Sequence, residues 1–277
     1  MSPAVTPLPW PVEALWRDLS AQEPGLTVEA VAEIDSSNEA LMRRARQGQA
    51  DPVLLVTAYQ SAGRGRRGRP WQAAPGDALM FSLGLMLAPV RWEGLSLAVG
   101  LALVEALDPT GAHQLALKWP NDLWRRTPEG WRKLAGILIE TANVPGRPEV
   151  EGRYVVIGVG LNVRAPVHTD LSMPAAGVRD WATQAEAGPL LLQLAPPLLR
   201  AVQAFARTGF APLRARYHAR DALQGEVLRL SDGREGLGEG VDADGALCVR
   251  GAEGSLWRVS SEEVSVRPHP TPHGGSP

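Results

Sequence analysis

Two uncharged apolar runs, residues 53–59 (VLLVTAY) and 80–86 (MFSLGLM), constrain the fold more than any other feature of the chain. Runs this short and this apolar read as buried strands, which need hydrogen-bonded neighbours and cover on both faces. The segment between them cannot be buried with them. Residues 63–71, Gly-Arg-Gly-Arg-Arg-Gly-Arg-Pro-Trp, hold four arginines, three glycines and a tryptophan. The simplest topology is two antiparallel strands joined by a long loop that lies outside the sheet. Glycine lets such a loop approach a ligand closely, guanidinium forks match phosphate and carboxylate oxygens, and the indole offers a stacking face. Repulsion among the four cations should hold the loop open until an anion neutralises it. A nucleotide or an acyl phosphate fits that description. Taken alone, the run also reads as a solvated basic loop or as an arginine-glycine nucleic-acid segment.

The remaining pattern is α+β. Helices are expected over residues 11–19, from Ser36 to a stop at Gly48, over 95–107, 190–207 and 213–222. The pair Pro196-Pro197 should start or kink the fourth of these. Ser36-Ser37-Asn38-Glu39 has the S-x-x-E form of a capping box. Further strands are expected over 114–118, 134–140 and 154–163. Beyond Gln224 four short strands, 226–230, 236–241, 246–249 and 255–259, are separated by Ser231-Asp232-Gly233 and Asp242-Ala243-Asp244-Gly245 turns, which suggests a small β-barrel. The expected organisation is therefore an α+β domain over residues 1–223, a small barrel over 224–268 and a disordered Pro/His/Gly tail over 269–277.

Composition narrows the function classes. The formal net charge is −2, so the arginine run is a local feature and a bulk nucleic-acid role is disfavoured. The single cysteine, Cys248, forms neither an internal disulfide nor a cysteine-built zinc site. His113, His168, His218, His269 and His273 do not fall at metal-ligand spacing. No uncharged apolar run reaches the roughly 20 residues of a membrane span, and the first residues lack a basic region followed by an apolar one. A cytoplasmic location is expected.

Four further segments carry candidate chemistry. Lys118-Trp119-Pro120-Asn121-Asp122 gathers an ammonium, an amide and a carboxylate where a strand opens into a loop. It reads either as an Asn-Asp turn or as a site for a hard cation, which takes one or two carboxylates plus phosphate oxygens. Lys133-Leu134-Ala135-Gly136-Ile137-Leu138 places a lysine at a strand entrance, solvated or at a site. Gly158-Val159-Gly160-Leu161-Asn162 permits close backbone approach or merely tight strand packing. Ser36-Ser37-Asn38 is a helix cap, a ligand site or both.

Together with Gln60-Ser61-Ala62 and the arginine run, these segments resemble the biotin-protein ligases. The resemblance spans residues 35–163 by motif and extends to 268 by layout, since that family ends in a small SH3-like β-barrel. It implies that Ser36, Ser37, Asn38, Gln60, Arg64, Gly65, Arg66, Lys133 and Gly136 bind biotin, with Ser37 and Asn38 on its ureido head. Arg69, Trp71, Lys118, Asn121 and Asn162 would bind the nucleotide, Trp71 against the adenine, and Asp122 would hold Mg²⁺. Lys133, Arg66 and Asp122 would be catalytic. Two departures stand out: Ser37 replaces a common threonine, and the segment 124–132 before Lys133 is a longer loop than usual. The implied reaction forms biotinyl-5′-AMP from biotin and ATP. It then transfers biotin to a lysine of the biotin carboxyl carrier protein of acetyl-CoA carboxylase.

The residues fit that chemistry independently. A carboxylate attacking the α-phosphorus of ATP brings anions together, so cations and positioning suffice, and the acid is already ionised at neutral pH. Transfer differs, because the target lysine must lose a proton; Asp122 is a candidate acceptor. Only 34 residues precede Asp35, too few for a winged helix-turn-helix, so no DNA partner is expected. No membrane partner is expected either, and a monomer and a homodimer are both compatible. The other readings are a lipoate-protein ligase and an effector-sensing nucleic-acid regulator.

Overall fold

The structure, a computed structural model, describes residues 10–145, 152–166 and 173–260 and the backbone of 266–268. Among the described residues five α-helices, α1 (Val12–Ser20), α2 (Ser37–Arg46), α3 (Leu95–Leu107), α4 (Ala187–Thr208) and α5 (Arg214–His218), accompany a first set of seven strands. These are β1 (Thr27–Ile34), β2 (Val53–Gln60), β3 (Ala78–Leu87), β4 (Leu115–Lys118), β5 (Asp122–Thr127), β6 (Gly130–Ala142) and β7 (Arg153–Asn162). They form one mixed sheet in the order β1-β2-β3-β7-β6-β5-β4. The two apolar runs pair antiparallel as β2 and β3, as expected. β1 and β2 pair parallel, which requires a crossover, and α2 supplies it.

The apolar runs are continuous because the sheet is covered on both faces. Leu54, Val56, Leu79, Phe81, Leu83 and Leu85 pack with residues of α1, α3 and α4. Their neighbours Val53 and Leu55 point the other way and pack with Ala40, Leu41, Met42 and Ala45 of α2, as the period of two along a strand dictates. α2 starts at the expected cap: the Ser36 hydroxyl accepts the Glu39 amide at 3.4 Å, and Gly48 ends the turn with φ +86°. The reciprocal half of the box is absent, because the Glu39 carboxylate instead accepts from Arg46 and Arg64.

Three features differ from expectation. α4 runs through Pro196-Pro197. The buried face made by Leu190, Leu191, Leu194, Leu198, Leu199 and Val202 outweighs the backbone hydrogen bonds that the prolines remove. Residues 124–132 are not a loop: they form the β5–β6 hairpin, with Thr127 paired to Gly130. Most important, the C-terminal strands β8 (Val227–Leu230), β9 (Glu235–Val241), β10 (Leu247–Arg250), β11 (Leu256–Val259) and β12 (Val266–Pro268) do not make a barrel. They form an open five-stranded antiparallel sheet in the order β11-β10-β9-β8-β12. A barrel needs its two edge strands hydrogen-bonded to each other. Here β11 and β12 lie at opposite edges with no ladder between them among the described residues. The expectation of an SH3-like domain is therefore corrected to an open sheet. The expected disordered tail, 269–277, lies outside the described residues.

The second sheet is anchored beside β4. The Trp119 indole donates to the Gly245 carbonyl at 3.1 Å, and the Arg214 guanidinium donates to the Val241 carbonyl at 2.8 Å. Between the sheets, residues 220–222 hydrogen-bond along Leu117 of β4 and carry Asp221 inward. One Asp221 oxygen accepts the Leu223 amide at 2.9 Å; the other is buried without a partner. Burial pushes this carboxyl up to about 6. A folded-state pKa above the unfolded value stabilises the fold fully below about pH 4, and the contribution is lost as pH rises through 6. Asp221→Asn should therefore raise the melting temperature at pH 8, by a stabilisation of about 2–3 kcal/mol, and leave it unchanged at pH 4. Thermal melts at the two pH values check this; an equal shift at both would contradict it.

Candidate active site

A cavity of about 290 Å³ opens where α2, the arginine loop, the middle of β6 and the ends of β4, β5 and β7 meet. Every residue that the sequence singled out for the site lines it: Ser36, Ser37, Asn38, Gln60, Arg64, Gly65, Arg66, Arg69, Trp71, Lys118, Asn121, Asp122, Lys133, Gly136 and Asn162.

At one end the α2 cap is buried against the sheet. The Ser37 amide donates to Gln60 Oε1 at 2.8 Å, and Ser37 Oγ lies 2.7 Å from the buried Ser82 Oγ of β3. Ser36, Ser37 and Asn38 are all buried. Asn38 lies flat on β7, where a Cβ added at Gly158 would meet its Oδ1 at 2.2 Å. Its amide nitrogen donates to Glu140 Oε2 at 2.9 Å and to the Leu138 carbonyl at 3.2 Å. Ser82 and Glu140 were not singled out from sequence. The only signal for Ser82 was a lone hydroxyl within an apolar strand run.

At the other end Lys133 sits within β6 rather than at its start. Its Nζ is 2.8 Å from Asp122 Oδ1 and 5.8 Å from the centre of the Trp71 ring. Asp122 faces Gly136 across the β5–β6 ladder. Asn121 donates to the Ile137 carbonyl at 2.8 Å, while its Oδ1 accepts from Arg66 at 3.5 Å. Asn162 donates to the Ala176 carbonyl at 3.0 Å. Lys118 lies 5.9 Å from the Trp124 ring. The Trp71 indole lies on Gly160, where an added Cβ would stand 2.5 Å from the ring, and its buried N–H has no hydrogen-bond partner.

The arginine loop is folded at its base. Trp71 N donates to the Gly63 carbonyl at 2.9 Å, and Gly65 N donates to the Arg69 carbonyl at 2.7 Å. A Cβ at Gly63 would lie 2.4 Å from the Trp71 oxygen, so this crossing requires glycine. At the tip Arg67 and Gly68 take φ +57° and +70°. Arg64 pairs with Glu39 of α2 at 3.1 Å, and Arg66 reaches the β4–β5 turn through Asn121. Arg67 and Arg69 are exposed. The loop thus spans the cavity between α2 and the turn that carries Asp122. Among the described residues no three acidic, histidine or cysteine side chains gather as a metal cluster.

The chain matches the family described as biotin/lipoate A/B protein ligase over residues 31–162. It is 32% identical over 272 residues to the bifunctional ligase/repressor BirA of Escherichia coli (strain K12), an alignment that covers 94% of this chain and 80% of that protein. The chain belongs to the biotin/lipoate A/B protein ligase family. It is also 35% identical over 237 residues to the biotin–[acetyl-CoA-carboxylase] ligase of Mycobacterium tuberculosis, covering 80% of this chain and 82% of that one. Among solved structures, the biotin protein ligase from Aquifex aeolicus in complex with biotin and ATP superposes with a TM-score of 0.72. That match is 24% identical and covers 87% of this chain and 99% of the other, a likeness of fold. Family members differ in the acid they activate, so the chemistry of the cavity must choose the substrate.

Proposed function

We infer that this ligase-family chain is an ATP-dependent biotin-protein ligase, which forms biotinyl-5′-AMP and passes the biotinyl group to a lysine of a biotin carboxyl-carrier domain. The observation that carries the choice of acid is the polar head of the cavity, built from Ser37, Asn38 and Gln60. A cyclic urea offers N–H donors to Ser37 Oγ and a carbonyl to the amide edge of Gln60. A dithiolane offers neither, and would leave polar groups without partners, which is how a hydrogen-bonding site rejects an analogue.

In the first step a carboxylate oxygen bonds to the α-phosphorus and pyrophosphate leaves. Cations that suit this reaction line the cavity: Lys133 on β6, Arg64, Arg66 and Arg69 on the arginine loop, and Lys118 alongside. Lys133 bridges the acid and the α-phosphate, Trp71 and Asn162 take the adenine side, and the arginines neutralise phosphate oxygens. Asp122 with Asn121 fits Mg²⁺, because that ion takes one or two carboxylates and completes its shell with phosphate oxygens and water. When bound, it would neutralise charge on the phosphates. In the second step the carrier lysine attacks the mixed anhydride, AMP leaves, and the ammonium proton must go to an acceptor. Asp122 is the one carboxylate among the described residues lining the cavity, and we assign it that role.

With ATP, Mg²⁺ and biotin, the purified chain should label one lysine of a carboxyl-carrier domain. A carrier with that lysine replaced by alanine should stay unlabelled. Labelling with lipoate but not with biotin would overturn the reading.

A further inference from the structure

Three neighbouring strands place Ser82, Gly158 and Leu138 at one level, since Ser82 pairs with Gly158 and Gly158 with Leu138. Asn38 lies across them, and its amide has one possible orientation. Its nitrogen faces the Leu138 carbonyl and the Glu140 carboxylate, which only accept, so its oxygen must be the edge 2.6 Å from Ser82 Oγ. A carboxamide oxygen only accepts, so the single Ser82 proton is committed to it. The 2.7 Å contact between the two hydroxyls then needs its proton from Ser37. With that proton turned inward, Ser37 Oγ offers only lone pairs elsewhere. Gln60 Oε1 is the other acceptor within reach of the Ser37 hydroxyl, but at 3.3 Å it is the weaker one beside Ser82 Oγ at 2.7 Å, and it already accepts the Ser37 amide at 2.8 Å.

We propose that Glu140, Asn38 and Ser82 form a proton-orienting relay that fixes Ser37 as a hydrogen-bond acceptor, making Ser82 and Glu140 positioning residues that select acids whose head group presents an N–H. The inner part of the relay is nearly dry, with Ser37 and Asn38 4% exposed and Ser82 0% exposed, while Glu140 at its outer end is partly exposed. A wrongly turned hydroxyl there would leave a buried donor facing a donor, a full desolvation loss rather than an exchange with water. The two residues touch no substrate and act through Ser37. This inference rests on the biotin reading of the cavity.

The test measures biotin-dependent pyrophosphate release with biotin and with analogues in which one or the other ring N–H is replaced by oxygen. The parent should prefer biotin over the more poorly accepted analogue by at least about 100-fold. Ser82→Ala frees the Ser37 proton, which can then be donated to a ring oxygen. It should raise KM for biotin about tenfold, leave kcat within about twofold, and cut the preference for biotin at least about tenfold. Glu140→Ala should shift selectivity in the same direction. Glu140→Gln, whose carbonyl still accepts from Asn38, should restore the parent values. Unchanged selectivity in a folded Ser82→Ala variant, or a fall in kcat with KM and selectivity intact, would overturn the relay. Should Ser82→Ala fail to fold, unchanged selectivity in Glu140→Ala overturns it instead. A parent that releases no pyrophosphate with biotin would overturn the reading of the cavity, and the relay with it.

Discussion

Lys133→Ala is expected to slow adenylate formation by about 30- to 1,000-fold, a loss of about 2–4 kcal/mol of transition-state stabilisation. The ammonium is the cation held most firmly at the reacting centre. It projects from a strand paired on both sides, and Asp122 fixes it at 2.8 Å. Negative charge that accumulates as carboxylate and α-phosphate meet finds there a charge already oriented. The backbone of residue 133, which donates to the Pro174 carbonyl and accepts from Ala176, is unchanged by the substitution. Circular dichroism should therefore match the parent. Single-turnover pyrophosphate release at saturating biotin and ATP is the appropriate assay, because it isolates the chemical step from binding. Normal release would place Lys133 away from the reacting atoms.

Arg66→Gly is expected to have the second largest effect, on retention of the intermediate rather than on its synthesis. Arg66 stands at the loop tip and reaches Asn121 across the cavity, while Arg64 ties the loop base to Glu39 on the other side. Once an adenylate lies beneath, its phosphate and carbonyl oxygens give the arginines further acceptors, and the closed loop shields the anhydride from water. Removing Arg66 cuts the strap on the side of the reacting centre. Some synthesis should persist through Lys133. The adenylate should leave at least about tenfold faster, the equivalent of one charge-assisted contact, and label lysines of bystander proteins. Equal adenylate lifetimes in variant and parent, with loop proteolysis equally fast with and without biotin and ATP, would show that the arginines are static phosphate contacts.

Local chemistry makes much of this legible in the sequence itself. The β2–β3 pair follows from two uncharged runs, the α2 start from Ser36, and the loop from glycines and arginines that nothing buried would tolerate. β1 escaped notice because it is an edge strand: Glu29 and Glu33 break its apolar pattern, as suits a strand with one unpaired side. The β5–β6 hairpin is hidden by Arg125, Arg126 and Arg132, of which Arg126 is exposed and the other two partly so, while Trp124 turns inward. The C-terminal strands were legible one by one, but barrel closure depends on which edges meet. Turn residues do not encode that. The relay was illegible for a related reason, since Asn38 lies 44 positions from Ser82 and 102 from Glu140. Only the sheet order brings them together.

Adenylation should be confined to an acid that satisfies the Ser37–Gln60 head while its carboxylate reaches the Lys133–Asp122 centre. Mass spectrometry of the protein incubated with ATP, Mg²⁺ and an equimolar mixture of biotin and lipoate tests it most directly. Protein-retained biotinyl-5′-AMP should be in large excess over lipoyl-AMP. Lipoyl-AMP in excess, or neither adenylate, would contradict it.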